Sequence, residues 1–219
     1  MPLVLCEPMM DIVKVFSGAF HLQHFLSIKE QQCAGDAVGR LARGVAGFYR
    51  PRVRGGGQMR CEMLCLGRHW NAMNYSYESR RTDFDGVDVP RVPNELSAFA
   101  KKAALAVGMF IRPDVCLINR YGEDGKMGLH QDKDEHRDTL EAGIPIVSLS
   151  LGSTAIFVVG GTSRREPVQA VRLEAGDAFV MGQSSRLRYH GVSRIVAGKG
   201  CGLTESRVRY SLTFRQTSL

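Results

Sequence analysis

The chain has 219 residues, of which 44% are hydrophobic and 23% are charged, with a formal net charge of +7 and a pI near 9.3. This length fits one domain with an ordinary core, or a catalytic domain with a short extension, and the composition excludes a wholly disordered chain. The basic surplus favours a polyanionic partner such as nucleic acid, although a basic surface also simply improves solubility.

The six cysteines are scattered, and only Cys61 and Cys65 lie close together. No second pair follows at zinc-site spacing, so free thiols in a reducing cytosol are favoured over a disulfide framework. The N-terminus reaches Glu7 and Asp11 before a signal-length apolar run forms, and no stretch approaches the roughly 20 apolar residues that a bilayer span requires. We therefore expect a cytoplasmic protein with no membrane association, associated with the nucleoid if the source is bacterial.

The first third of the chain differs from the rest. Apolar residues at mixed helical spacing between positions 20 and 45 predict one or two helices, broken near Gly35. Residues 49–57 (YRPRVRGGG) predict a flexible loop whose arginines are solvated or contact phosphate. We expect residues 1–62 to form a helical and basic extension that packs on the core.

A helix start at Pro93-Asn94-Glu95 follows, with Asn94 as its N-cap and Gly108 as its stop, and this helix is expected to buttress a sheet. From residue 115 the pattern changes to short β-rich runs divided by Gly, Pro or Asp. These runs cover residues 115–120, 146–151, 155–159, 168–173, 178–181, 187–190 and 207–214. They predict a mainly β fold with flanking helices, of the sandwich, barrel or jelly-roll kind.

The sharpest local pattern is His130-Gln131-Asp132, with His190 much later at the expected end of another strand. Residues two apart on a strand point the same way, so an imidazole and a carboxylate can address one point, which a second histidine completes. Two histidines and one carboxylate leave open positions on iron(II), as oxygen-activating enzymes require. The helical His-Glu-x-x-His signature of zinc hydrolases is absent. His-x-Asp alone also arises by chance, and His21, His24, His69 and His136 are interpreted as surface or packing residues.

The C-terminal run 209–215 (RYSLTFR) adds a second constellation. A period of two puts Arg209, Ser211, Thr213 and Arg215 on one strand face, while Tyr210, Leu212 and Phe214 face the core. Four polar side chains on one face suit a wet, anion-binding interior, and two guanidinium groups can clasp a dicarboxylate. A solvated face of an edge strand is the alternative.

Together these residues resemble the AlkB family of iron(II)/2-oxoglutarate dioxygenases, the oxidative dealkylases of nucleic acids. The resemblance covers roughly residues 63–216. It rests on LINRY at 117–121, LHQDKDE at 129–135, VSLSLG at 147–152, Ser185-Arg186, Tyr189-His190-Gly191 and RYSLTFRQ at 209–216. It implies a double-stranded β-helix (jelly roll, cupin-like) over 63–219, with a nucleotide-recognition segment at 63–90.

The resemblance also implies roles for individual residues. His130, Asp132 and His190 match the iron ligands. The match to the 2-oxoglutarate contacts covers Asn119, Tyr121, Arg209, Ser211, Thr213 and Arg215, with Arg209 at the distal carboxylate and Arg215 near the chelating end. Ser211 stands where the family has Asn; it is shorter, and a water can fill the gap.

On the substrate side, Trp70 matches an aromatic that stacks on a flipped base. Tyr75 and Tyr77 match tyrosines near the base edge or phosphates, Asp134 a base contact, and Arg164 a residue beside the pocket. Trp70 is the sole tryptophan, and taken alone it would be interpreted as a core residue. Its polar neighbours His69 and Asn71 favour a partly exposed stacking role instead.

The expected activity is oxidative dealkylation of bases such as 1-methyladenine and 3-methylcytosine in DNA, using O2 and releasing formaldehyde, succinate and CO2. The target atom lies on the Watson–Crick edge, so single-stranded or flipped bases are preferred. The alternatives are the same chemistry on RNA or tRNA, a non-catalytic nucleic-acid-binding jelly roll, and an oxygenase for a small molecule or protein side chain. A monomer is expected.

Overall fold

A computed structural model of the chain describes residues 9–196 and 207–219. Within these residues, two larger antiparallel sheets, a two-stranded sheet and three α-helices form the fold. The larger sheet has seven strands in the order β1 (Asp11–Phe16), β2 (Ala19–Gln23), β11 (Ala178–Met181), β8 (Ile146–Gly152), β13 (Arg209–Arg215), β6 (Val115–Tyr121) and β3 (Glu62–Leu66). This order makes β13 a central strand, so the interpretation of its polar row as a solvated edge is wrong.

The smaller sheet has four strands in the order β10 (Gln169–Leu173), β9 (Thr154–Val159), β12 (His190–Val196) and β7 (Met127–His130). A separate hairpin joins β4 (His69–Asn71) to β5 (Ser76–Glu78). The predicted mainly β fold with flanking helices is confirmed, and the two sheets form the jelly roll.

Helices α1 (Ile28–Ala42) and α2 (Asn94–Ala106) cover the outer face of the larger sheet, while the short α3 (Arg137–Glu141) follows β7. The main core lies in this layer, where side chains such as Leu96 and Ala100 of α2 pack against Leu149 and Phe214 of the sheet. Burying these apolar groups leaves the opposite sheet face free for polar side chains. No helix in the described part of the chain has the length and apolarity needed to cross a membrane.

Two predictions for the N-terminal third are wrong. Residues 20–22 belong to β2, whose pairing with β11 makes it part of the larger sheet. The following helix α1 is continuous and runs through the buried Gly35, starting at a capping box formed by Ser27 and Glu30. Tertiary pairing decides the first of these points, because five residues with three apolar side chains fit either a strand or a helix turn. The division of the chain at residue 62 stays a prediction.

Other boundaries shift by small steps. The helix at 94–106 is present, but its N-cap is Pro93, and Asn94 is the first helical residue. Gly108, with φ of 71°, ends the segment as expected. Residues 187–189 are not a strand, and His190 begins β12 instead of ending a strand. Cys33, Cys61, Cys65 and Cys116 are free thiols as predicted, while Cys6 and Cys201 lie outside the described residues.

Candidate active site

Three potential metal ligands meet where β7 and β12 pair. His130, the last residue of β7, lies directly across from His190, the first residue of β12, and their ring centroids are 4.4 Å apart. Asp132 lies in the loop after β7, so the prediction that His130 and Asp132 share a strand is wrong. Its two carboxylate oxygens lie 3.5 Å from the Nε2 atoms of the two histidines. All three ligand atoms lie within 4.8 Å of one another.

Backbone carbonyls fix the orientation of both imidazole rings. The Nδ1 of His130 bonds to the carbonyl of Gly128 at 2.9 Å, and the Nδ1 of His190 bonds to that of Arg188 at 3.0 Å. These bonds assign the proton to Nδ1, so Nε2 of each ring has its lone pair free for a metal. The three groups fit iron(II), because two imidazoles and one carboxylate on one side of an ion form its facial triad.

Buried charges set the ionisation of this cluster. Burial alone raises the pKa of Asp132, but Arg215, at 2.7 Å, and the two histidines hold it well below its usual range. The charge of Asp132 in turn keeps the pKa of Arg215 well above its ordinary value despite burial. Burial lowers the pKa of His130, but its contact with Asp132 outweighs this and the net pKa is raised. Asp132 is therefore a carboxylate, ready to bind a cation.

A cavity of about 680 Å³ opens beside the triad. Its wall includes the polar row of β13 and two residues of the neighbouring β6. These six residues are Asn119, Tyr121, Arg209, Ser211, Thr213 and Arg215. The register explains the grouping, since Ser211 lies opposite Asn119 and Arg209 lies opposite Tyr121. The other face of β13, with Leu212 and Phe214, packs into the core as the period of two predicts.

Arg209 marks the deep end of this polar row. Its side chain is buried and donates to the carbonyls of Ser153 and Leu173 and to Oγ of Ser150. Its Nε has no hydrogen-bond partner among the described residues. Burial lowers the pKa of Arg209 to about 10, which still leaves a cation at neutral pH. A buried cation with an unused N–H fits one end of a dicarboxylate such as 2-oxoglutarate.

Two further contacts involve Ser211 and Asn119 of the cavity wall. Ser211 shares a 2.9 Å hydrogen bond with Ser148 of β8, so the shorter side chain has a partner across the strand pair. The thiol of Cys61, which burial keeps protonated by raising its pKa to about 12, lies 3.9 Å from Oδ1 of Asn119. This weak contact favours the rotamer in which the Asn119 amide N–H groups remain available to the cavity.

Most of the predicted substrate residues meet at the cavity mouth. Trp70, Tyr75, Asp134 and Arg164 line it, and Trp70 is partly buried there. The indole N–H of Trp70 donates to Asp134 at 2.8 Å. Tyr75 is exposed and has a φ of 59°, an uncommon left-handed conformation for a bulky residue. Such strain is found at ligand-binding sites more often than elsewhere.

Tyr77 is placed differently from the other predicted substrate residues, since it is not among those that line the cavity. Its hydroxyl accepts from Nη1 of Arg215 at 2.6 Å and donates to Glu135 at 3.2 Å. Tyr77 thus contacts residues that lie beside the three potential metal ligands, and does not line the cavity with the other predicted substrate residues. The role of each predicted site residue stays a prediction.

Sequence reasoning missed two charged residues behind the triad. The side chain of Glu135 is fully buried, and Arg186 pairs with it at 2.9 Å. Arg186 also donates to the backbone carbonyl of Asp132 at 2.5 Å, which holds the loop carrying that ligand. The sequence marks these two residues only by their place in the stretches that carry the family resemblance. Glu135 ends the stretch 129–135, and Arg186 belongs to Ser185-Arg186.

Comparison with known proteins matches residues 18–215 to the 2OG-Fe(II) oxygenase superfamily. The α-ketoglutarate-dependent dioxygenase AlkB of Salmonella typhimurium is 37% identical over 204 residues, covering 92% of this chain and 91% of that protein. The chain belongs to the AlkB family. Its predicted membership is confirmed, and the family match begins further towards the N-terminus than the predicted limit of residue 63.

Plant members of the AlkB family are also similar. The DNA N(6)-methyladenine demethylase ALKBH1C of Arabidopsis thaliana is 35% identical over 221 residues, which is 91% of this chain but 48% of that protein. The solved structure of OsALKBH1 matches with a TM-score of 0.87 at 35% identity, covering 94% of this chain and all of that one. The chain thus spans about half the length of ALKBH1C and nearly all of the Salmonella AlkB protein.

Proposed function

We propose that the chain is an iron(II)/2-oxoglutarate-dependent dioxygenase that removes alkyl groups from bases in DNA. The observation that carries this proposal is the cavity of about 680 Å³, which His130, Asp132 and His190 share with Arg209 and Trp70. It combines ligands for iron, a buried cation for a dicarboxylate and an aromatic surface for a base. The further proposals are that lesions of the 1-methyladenine and 3-methylcytosine type are substrates, and that the protein is a cytoplasmic monomer.

Iron(II) with 2-oxoglutarate and O2 supplies the oxidation that converts an N-methyl group to formaldehyde, with succinate and CO2 as the other products. The protein's residues bind and orient. His130, Asp132 and His190 hold the metal on one side, while Arg209 fixes the far carboxylate of the cosubstrate. Arg215 pairs with Asp132 at 2.7 Å and balances the charge of that carboxylate.

Trp70 and Asp134 would hold the base. The indole face suits stacking, which contributes about 1–3 kcal/mol per base. Burial raises the pKa of Asp134, and this outweighs the opposing effect of the hydrogen bond from Trp70. A base must leave the duplex to reach this pocket, so single strands are the favoured substrate.

The test is incubation with a methylated single-stranded DNA oligonucleotide, iron(II) and 2-oxoglutarate. We expect formaldehyde and repaired base in equal amounts, and no product from a His130→Ala variant. Absence of turnover with iron bound would exclude the dealkylase. Succinate formation without oligonucleotide separates an intact oxygenase centre from a merely nucleic-acid-binding protein.

A second substrate class is suggested by relatives that are named DNA N(6)-methyladenine demethylases. Oligonucleotides carrying 6-methyladenine belong in the same assay, in competition with 1-methyladenine. Matched RNA oligonucleotides address the remaining alternative, that the same chemistry acts on RNA or tRNA.

A further inference from the structure

The two faces of the β4–β5 hairpin make different contacts. On one face, Trp70 lies opposite Tyr77; Trp70 lines the cavity and bonds to Asp134, and Tyr77 bonds to Arg215. On the opposite side, residues of alternate parity point away from the cavity. Trp70 packs against a buried cluster that includes Tyr49, and His69, the residue before it in the chain, also contacts Tyr49.

The rear face is fixed by a buried pair. The Nε2 of His69 lies 2.6 Å from Oδ1 of Asp83, and the exposed fractions of the two side chains are 0% and 5%. The Nδ1 of His69 has no hydrogen-bond partner within the described residues, so Asp83 makes the hydrogen bond that orients the ring. Since a carboxylate only accepts, the proton lies on Nε2.

The segment that carries Asp83 is itself anchored. Arg81 pairs with Asp85, donates to the carbonyl of Gly47 at 2.7 Å and stacks 4.7 Å over the ring of Tyr49. The Tyr49 ring packs in turn against His69, with centroids 5.6 Å apart. His69 is thus held by a ring on one side and a carboxylate on another, both tied to the body of the protein.

A second contact supports the same face. The amide of Asn71, the residue after Trp70, donates to Glu78 at 3.1 Å and to Thr82 at 3.2 Å. Trp70 is therefore flanked by two buried polar residues, both bonded within the span 78–83. Sequence reading assigned His69 to surface or packing, because its partner lies 14 residues away.

We propose that the buried His69–Asp83 pair is a positioning element that fixes Trp70 in the base pocket and thereby sets affinity for the alkylated base. This inference rests on the proposed function for its substrate. It concerns binding of the base and leaves the metal and cosubstrate contacts unchanged, because neither residue lines the cavity.

Asp83→Ala is the direct test, with two comparison variants. Asp83→Asn keeps an oxygen that accepts from His69, so it should restore most of the wild-type behaviour. Asp88→Ala is the matched control, because Asp88 belongs to the same segment but forms an exposed pair with Arg80.

Trp70, as the only tryptophan, reports its own position by fluorescence. We expect Asp83→Ala to shift its emission to longer wavelength and to raise acrylamide quenching, and Asp88→Ala to do neither. With a methylated oligonucleotide, the KM of Asp83→Ala should rise about tenfold, in the range for a weakened stacking contact. Its kcat and its succinate formation without oligonucleotide should stay near wild type.

Wild-type emission and KM in Asp83→Ala would overturn the inference, and so would an equal loss of kcat and succinate formation. If Asp83→Ala unfolds, His69→Gln provides the test, since the glutamine keeps one N–H without the rigid ring. For His69→Gln, the KM for the methylated oligonucleotide is expected to be about threefold above wild type. An unchanged KM would contradict the positioning role of the His69–Asp83 pair. Fluorescence emission can be measured without turnover. An inactive wild-type protein would therefore contradict the proposed function, while the emission of the variants would still test whether Asp83 fixes the position of Trp70.

Discussion

Single residues carry the cosubstrate site, and Arg209 shows what burial adds to a sequence pattern. The period of two placed Arg209 on the polar face of β13, but an exposed arginine would satisfy that pattern equally well. In the folded chain it is 1% exposed, three of its contacts go to neutral oxygens, and its Nε has no partner in the segments that the structure describes. A buried cation of this kind is stabilised when a carboxylate arrives.

Arg209→Lys should therefore weaken 2-oxoglutarate binding. A lysine keeps the charge but loses the planar fork, and losing one charged hydrogen bond costs about 1.5–3 kcal/mol, or roughly 10- to 150-fold in KM for 2-oxoglutarate. We expect kcat at saturating cosubstrate to change much less. Initial rates over a range of 2-oxoglutarate concentrations provide the measurement.

Arg207→Lys is the control for Arg209→Lys, because Arg207 lies two residues earlier, on the surface, paired with Glu123. An equal rise in KM for both variants would mean that the effect is not specific to the buried guanidinium.

At the scale of elements, the metal site depends on the close approach of β7 and β12. Gly191 follows His190, and a Cβ built there would lie 2.6 Å from the carbonyl of Met127 and 2.9 Å from that of Gly128. These distances are too short for a carbon atom and involve backbone, which cannot easily move. Glycine is thus required for the strand contact that places His130 across from His190.

Gly191→Ala should separate the two strands and weaken metal binding by at least about tenfold, because a ligand shifted by a fraction of an ångström loses its geometry. Isothermal titration of the protein with Co²⁺ in place of iron(II) measures this without turnover. Gly128→Ala is the matched control on the facing strand, since a Cβ there meets nothing within 4 Å. Equal affinities of the two variants would contradict the role of Gly191.

Over the whole molecule, the charge surplus of +7 coexists with a strongly paired active site. Two arginines at the centre are neutralised within the fold, Arg215 by Asp132 and Arg186 by Glu135, while Arg209 has neutral partners. Part of the surplus lies on the surface, where Arg50, Arg52 and Arg54 are exposed in the segment before β3. Val53 of this segment lines the cavity, so these arginines lie near the site proposed for the base.

Binding of single-stranded DNA should weaken as salt rises, and replacing Arg52 and Arg54 by Gln should lower the slope of log affinity against log salt by about 1.4, from roughly 0.7 per phosphate contact. Fluorescence anisotropy of a labelled oligonucleotide at several salt concentrations measures the slope. Arg137→Gln is the control, because Arg137 is exposed but already paired with Glu141 within α3. An unchanged slope in the double variant would remove the basic segment from the interface.

Much of the site could be read from residue order. The residue types and spacings of the motif at 129–135 and of the alternating run 209–215 are visible in the sequence. The structure brings the triad and the polar row of β13 together in one cavity. The continuity of α1 through Gly35 was not readable, because glycine lowers helix propensity by only about 1 kcal/mol and packing of Ala34, Ala37 and Val38 overrides it.

The sequence by itself determined the AlkB family, the residue types of the metal and cosubstrate sites, and the β-rich character of the chain, since these follow from local pattern. Only the tertiary structure decided that β13 is central, that Asp132 lies on a loop, that Arg186 pairs with Glu135, and that His69 bonds to Asp83. Contacts of this kind join residues far apart in the chain, as in the hydrogen bond between His21 and Asp177, which are 156 positions apart. Long-range partners of this kind are set by strand pairing and burial, which no short stretch of sequence records.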